Sequence, residues 1–190
     1  NALLIENLQQ KIEEIKDLYI REHRIFIHTS IAMAAAIDAR DPYTHGHTER
    51  VTTHCLAIAR ELEGIPEMAN YKNFRETLQI AALLHDIGKI GVPDHILNKH
   101  GKLAPEEFEE IKKHSIIGAT ILHPIKELSD VAREVRHHQE CFDGSGYPDG
   151  LKGTDIPLIA RIISVADAFD AITTDRPYKK KKTIEDALLE

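Results

Sequence analysis

The chain has 190 residues, enough for one domain with a small appendage. Its 42% hydrophobic and 29% charged residues fit an ordinary globular protein, and a net charge of −7 excludes a general nucleic-acid coat, which needs a basic surface. No apolar run approaches the roughly 20 residues of a membrane span, no signal peptide opens the sequence, and two cysteines, Cys55 and Cys141, exclude a disulfide scaffold and fit a reduced cytoplasmic setting.

Residues 1–28 read as one long helix. Ile5, Leu8, Ile12, Ile15 and Tyr19 step by three and four, the a/d spacing of a heptad, and Glu6, Gln9, Lys11, Glu13, Glu14 and Lys16 fill the outer face. Such a stripe needs a cover. It either folds back on its own domain or forms a parallel dimer stalk that transmits a signal from an upstream module. The missing initiator Met leads us to expect an excised fragment with domain boundaries at 1–30 and 31–190, and an end at Glu190 inside a helix suggests a truncated C-terminus.

An Ala-rich helix over 29–40 should stop at Asp41-Pro42, because the residue before proline disfavours the α region. Further helices are expected near 47–63 (Val51, Cys55, Ile58, Leu62), over 74–86 with Gly88 as C-cap, from Pro105 through Ile117, from Ser129 or Asp130 through His138, over 157–172 and after Thr183. A Gly/Pro-rich loop spans 141–157. With no alternating strand and no internal repeat, the fold class is all-α.

Twelve histidines in an acidic chain without CxxC pairs direct attention to His/carboxylate metal sites. His85-Asp86 closes the apolar run Ile80 to Leu84, His138 lies on the stripe of Val131 and Val135, and Asp167 lies four residues after Ile163. A buried carboxylate is costly unless paired. Inward-facing His and Asp residues compensate one another by binding cations. Adjacent His85 and Asp86 suit two ions, because a carboxylate can bridge them about 3.5–4 Å apart and the pair can clamp a phosphate.

The sequence resembles the HD-GYP family, a subgroup of the HD phosphohydrolases. The matching segments are Asp41-Pro-Tyr-Thr-His-Gly-His47-Thr-Glu-Arg50-Val51, His85-Asp86-Ile-Gly-Lys89, Lys112-Lys-His114, His138-Gln-Glu140-Cys-Phe-Asp143-Gly-Ser-Gly-Tyr147-Pro148, Arg161 to Asp170, and Arg176-Pro-Tyr178-Lys179. The likeness covers about residues 31–182. It implies an HD-domain helical bundle that hydrolyses cyclic di-GMP to pGpG and often GMP, with a binuclear centre of Fe or Mn (Zn and Ni being further candidates) and a metal-bound hydroxide as nucleophile. It places His47, His85, Asp86 and Asp167 on one ion, and Asp86, His114 and His138 on the other. Lys89 would neutralise phosphate charge, Gly146 and Tyr147 would contact substrate, and Arg176 and Lys179 would bind a dianionic ligand.

Two departures stand out. Gln139 occupies a position that is normally a second-metal histidine, and an amide oxygen is the weaker ligand. Tyr43 stands where relatives with a third metal carry a carboxylate, so two ions are expected. The alternative to an enzyme is a catalytically weak cyclic-dinucleotide sensor, or a docking module for GGDEF-domain diguanylate cyclases. Cyclic GMP-AMP is another candidate substrate. A homodimer through the N-terminal helix is expected, with no nucleic-acid polymer as partner and no membrane contact in this fragment. His23, His28, His95, His100 and His123 match no ligand position, and neither His45 nor His54 is assigned as one.

Overall fold

Apolar residues at helical spacing build the bundle that the sequence implies. The computed structural model describes residues 2–40, 46–175 and 181–189. Among them are α1 (Ala2–Asp38), α2 (His47–Glu61), α3 (Phe74–Leu84), α4 (Asp94–Leu97), α5 (Pro105–Leu122), α6 (Ser129–His137), α7 (Leu158–Thr173) and α8 (Ile184–Leu188), joined by short 3-10 turns, and no strand.

Local chemistry sets several of the ends. Pro105 opens α5, where its missing N–H costs nothing, and Glu107 Oε2 accepts from the Ala104 N–H at 2.7 Å. Thr183 caps α8 by accepting from the Asp186 N–H. The core lies where α2, α3, α5, α6 and α7 meet, around Val51, Leu78, Leu84, Leu122, Val135, Ile159 and Ile163. Removing a side chain such as Ile163 to alanine there costs about 2–5 kcal/mol. Glu134, fully buried, ties α6 to the start of α7. Its carboxylate accepts from the Ala160 N–H at 3.0 Å, from the Tyr71 hydroxyl and from Arg133.

The α3 helix ends at Leu84, so Gly88 is not its C-cap. Gly88 lies instead in the 3-10 turn Ile87–Gly91, packed on the α5 backbone. A Cβ there would stand 1.8 Å from the His114 carbonyl oxygen. The glycine is needed for close approach.

The long α1 helix joins the domain only through its C-terminal part. Ala34 and Ile37 are buried, and Phe26, Ile27 and Met33 pack against the core. Ile5, Leu8, Ile12, Ile15 and Tyr19 are all exposed, so the heptad stripe does not fold back on its own chain.

Candidate metal centre

Five elements bring the ionisable residues together. His47 is the first residue of α2, and His85 and Asp86 follow the end of α3. His114 lies within α5, His138 directly follows α6, and Asp167 lies within α7. All four histidines are buried. Their rings form a continuous chain, with His47–His85, His85–His138 and His138–His114 centroids 5.6, 5.3 and 5.1 Å apart.

Hydrogen bonds fix which ring nitrogen is available. Nδ1 of His85, His114 and His138 lies 2.7 Å from the carbonyl oxygens of Ala82, Ile111 and Val135. A carbonyl can only accept, so each Nδ1 carries a hydrogen. In the neutral ring Nε2 is then left as a lone pair. This is the arrangement that orients a metal-binding histidine.

His114 Nε2 and His138 Nε2 face each other at 3.2 Å. Two lone pairs cannot hydrogen-bond to each other, but both can ligate one cation. Two nitrogens about 2.0–2.1 Å from a shared ion lie about 3.0–3.4 Å apart. His85 Nε2 is buried without a hydrogen-bond partner and stands 3.4 Å from Asp86 Oδ2, out of hydrogen-bonding alignment. His114 Nε2 stands 3.6 Å from the other Asp86 oxygen, Oδ1. The two oxygens of one carboxylate thus address two histidine groups. Donor atoms of His47, His85 and Asp86 fall within 4.8 Å of one another, as do those of Asp86, His114 and His138. Both sets fit a divalent cation of the Fe, Mn or Zn type. Asp167 lies beside the first group, with Oδ1 3.3 Å from His47 Nε2.

The electrostatics divide the site into two halves. Burial alone would raise Asp86, but Lys89, 2.8 Å away, and His85 hold its carboxyl well below the usual carboxylate range. Burial likewise opposes ionisation of Asp167, and His47 and His85 outweigh it and bring the carboxyl to about 2. Burial would lower His47, yet hydrogen bonds with Asp167 and Asp170 raise it to about 9. His114 and His138 are both lowered, chiefly by burial, so this pair is neutral and ready to ligate at pH 7.

Residues that sequence reasoning left without a role support this centre. Asp170 is buried; its Oδ2 lies 2.7 Å from His47 Nδ1, and its Oδ1 accepts from Arg50 Nε at 2.6 Å. It orients His47. Its signal was a carboxylate on the apolar stripe of α7, four residues after Ala166. Glu140 clamps the following loop. Its carboxylate accepts from the N–H groups of Asp149, Gly150 and Leu151 at 2.7, 3.1 and 3.1 Å. Asp149 in turn holds Arg136 and His137. His137, one residue from His138 and so about 100° around the helix, is engaged by Asp149 and by the Arg133 carbonyl instead of by the centre.

Gln139 is half-buried beside His138, and its backbone carbonyl accepts from the Tyr147 N–H at 3.2 Å. Gly146 makes this turn possible, because a Cβ would meet the Cys141 nitrogen at 2.2 Å. Tyr147 reaches the His114 ring, with centroids 6.3 Å apart. Burial first, then Asp86 and Asp167, push its phenol upward, so it stays a neutral donor at pH 7. His54 packs edge-on against Phe169, and His23 lies near Glu76. Tyr43, His45, Arg176 and Lys179 lie outside the described residues.

The HD domain family profile matches residues 32–190. The chain belongs to the HD domain family. The HD-GYP resemblance read from its motifs agrees with its relatives. The chain is 42% identical over 194 residues to a cyclic di-GMP phosphodiesterase of Thermotoga maritima, covering 98% of this chain and 50% of that protein. It is also 42% identical over 157 residues to a 3'3'-cGAMP-specific phosphodiesterase of Vibrio cholerae, covering 83% of this chain and 33% of that protein. The solved structure of Bd1817, an HDG"Y"P protein from Bdellovibrio bacteriovorus, superposes with a TM-score of 0.55 at 25% identity, covering 75% of this chain and 49% of that one. The chain thus spans about half the length, or less, of the curated relatives it matches. Among the described residues, no helix is long and apolar enough to cross a membrane.

Proposed function

We propose that this HD domain is a phosphodiesterase that hydrolyses cyclic di-GMP to pGpG or GMP at a binuclear centre. The observation that carries the reading is the single Asp86 carboxylate, whose two oxygens address His85 on one side and His114 on the other. His47, His85, Asp86 and Asp167 would hold one divalent ion, and Asp86, His114 and His138 the second. Fe or Mn suits this all-nitrogen-and-oxygen set. When bound, such ions polarise phosphoryl oxygens and activate water for in-line attack.

The chain's own residues do the rest. Asp170 and the three backbone carbonyls hold the imidazoles in their ligating orientation. Lys89 places an ammonium beside Asp86, where a phosphate's charge needs an opposite partner. Tyr147 offers its hydroxyl hydrogen from the loop that Glu140 braces. Gln139 would add its amide oxygen to the second ion or leave that position to solvent.

Gln139 also favours a second reading, a weakly catalytic cyclic-dinucleotide sensor or a docking module for GGDEF-domain proteins. Turnover decides between them. Anaerobically purified protein loaded with Fe(II) or Mn(II) is given cyclic di-GMP and, separately, 3'3'-cGAMP, with Asp86→Ala as control. Control-sensitive pGpG or GMP establishes the enzyme. Nucleotide binding without product establishes the sensor. The exposed stripe on α1 supports a homodimer through residues 1–30. Deleting residues 1–25 then converts a dimer to a monomer in light scattering, and a persistent dimer would place the interface elsewhere.

A further inference from the structure

Beyond the metal ligands and Lys89, a second cation borders the centre. Lys112 leaves α5 two residues before His114, and its Nζ stands 5.6 Å over the Tyr147 ring and 5.0 Å over the Phe108 ring. Because Tyr147 itself meets the His114 imidazole, one aromatic ring separates this ammonium from the second metal group. The partner that Lys112 holds is Glu109 at 2.6 Å, whose side chain is 64% exposed. With its carboxylate side this open to water the ion pair is weak, so an incoming anion can take the place of Glu109. Phe108 leaves 44% of its surface uncovered at the same place. An ammonium between two aromatic rings, with apolar surface beside it, matches a ligand that is anionic and aromatic at once.

Resting on the cyclic-dinucleotide reading above, we infer that Lys112 and Phe108 form a second substrate subsite. A cyclic dinucleotide carries two phosphodiesters and two purines on one ring. While one phosphodiester lies at the metal centre beside Lys89, Lys112 offers a cation to the other from the far side of Tyr147. Phe108 offers a stacking face to the adjoining purine. The subsite selects a cyclic dinucleotide over an ester with a single phosphate.

The test compares metal-loaded wild type, Lys112→Ala and Lys112→Arg on cyclic di-GMP and on bis(p-nitrophenyl) phosphate, which has one phosphate. Cyclic di-GMP affinity is measured in parallel by calorimetry. A charge-assisted hydrogen bond is worth about 1.5–3 kcal/mol, so Lys112→Ala should raise KM and Kd for cyclic di-GMP about 10- to 100-fold. The loss should be at least tenfold greater than on the single-phosphate ester, and Lys112→Arg should recover most of it. Equal losses on both substrates would show that Lys112 acts through Tyr147 on the centre and would overturn the subsite, as would an unchanged KM and Kd. If the wild type hydrolyses only the single-phosphate ester and does not bind cyclic di-GMP, the substrate reading itself fails and the subsite with it.

Discussion

Replacing Gly88 with alanine should loosen the metal centre from behind. The added Cβ would lie 1.8 Å from the His114 carbonyl oxygen, 2.5 Å from the Gly118 nitrogen and 2.8 Å from the His114 carbonyl carbon. All three are backbone atoms of α5, so no rotamer change relieves the contact. Real Cβ contacts essentially never fall under 3.0 Å, and the turn must therefore lift off α5 by about 1 Å. That turn directly follows Asp86, whose Oδ1 is already 3.6 Å from His114 Nε2. Overpacking costs about 1–3 kcal/mol and occasionally more; with the strain on backbone atoms, we expect about 3 kcal/mol. In a chain of this size that lowers Tm by about 6–12 °C. A displacement of about 1 Å at a reacting centre also costs on the order of 100-fold in rate. Calorimetry measures the first effect and turnover of cyclic di-GMP the second, while chelator competition reports whether the metal ligands have moved. Gly64→Ala is the control: its φ of +94° strains an alanine, but nothing lies within 4 Å of the new Cβ. It should lose about 1–2 kcal/mol and keep its metal affinity. A Gly88→Ala protein that melts within about 2 °C of the parent and binds metal normally would refute the close-approach argument.

Two further outcomes test the surroundings of the centre. Asp170→Asn should weaken metal binding about 10- to 100-fold, because the charge that faces Arg50 and His47 Nδ1 is lost; unchanged affinity in chelator competition would mean that His47 is oriented by other groups. In native protein, Ellman's reagent should titrate the exposed Cys141 quickly and reach Cys55 only after denaturation, since burial, then Asp167, pushes the Cys55 thiol up to about 12; two fast thiols would show that the α2 core is open.

How legible the centre was depends on how each residue announces itself. His85, Asp86, His138 and Asp167 stood out because each is polar on an otherwise apolar face, and all four converge. Asp170 sits on the same kind of face, but its task depends on where α2 delivers His47, which spacing along α7 does not reveal. Glu140 was hidden more deeply. Its three partners are backbone N–H groups of Asp149, Gly150 and Leu151, and any sequence supplies such groups. Gly88 illustrates an ambiguity: a glycine after a helix can serve as a left-handed cap or as a close-approach residue, and only the neighbouring α5 backbone distinguishes them. The longer helices are readable from periodicity, and so is the heptad stripe; the single turn of α4, Asp94–Leu97, is too short to show a period and is not among the expected helices. What covers the stripe is not written in its spacing; the tertiary structure leaves Ile5, Leu8, Ile12, Ile15 and Tyr19 exposed on their own chain.

The central claim is that one carboxylate joins two cation sites. Metal content by plasma mass spectrometry, on protein reconstituted anaerobically with Fe(II) or Mn(II), tests it most directly. The account predicts two ions per wild-type chain, one in His138→Ala and almost none in Asp86→Ala. One ion in the wild type, or two retained by a folded Asp86→Ala, would contradict it.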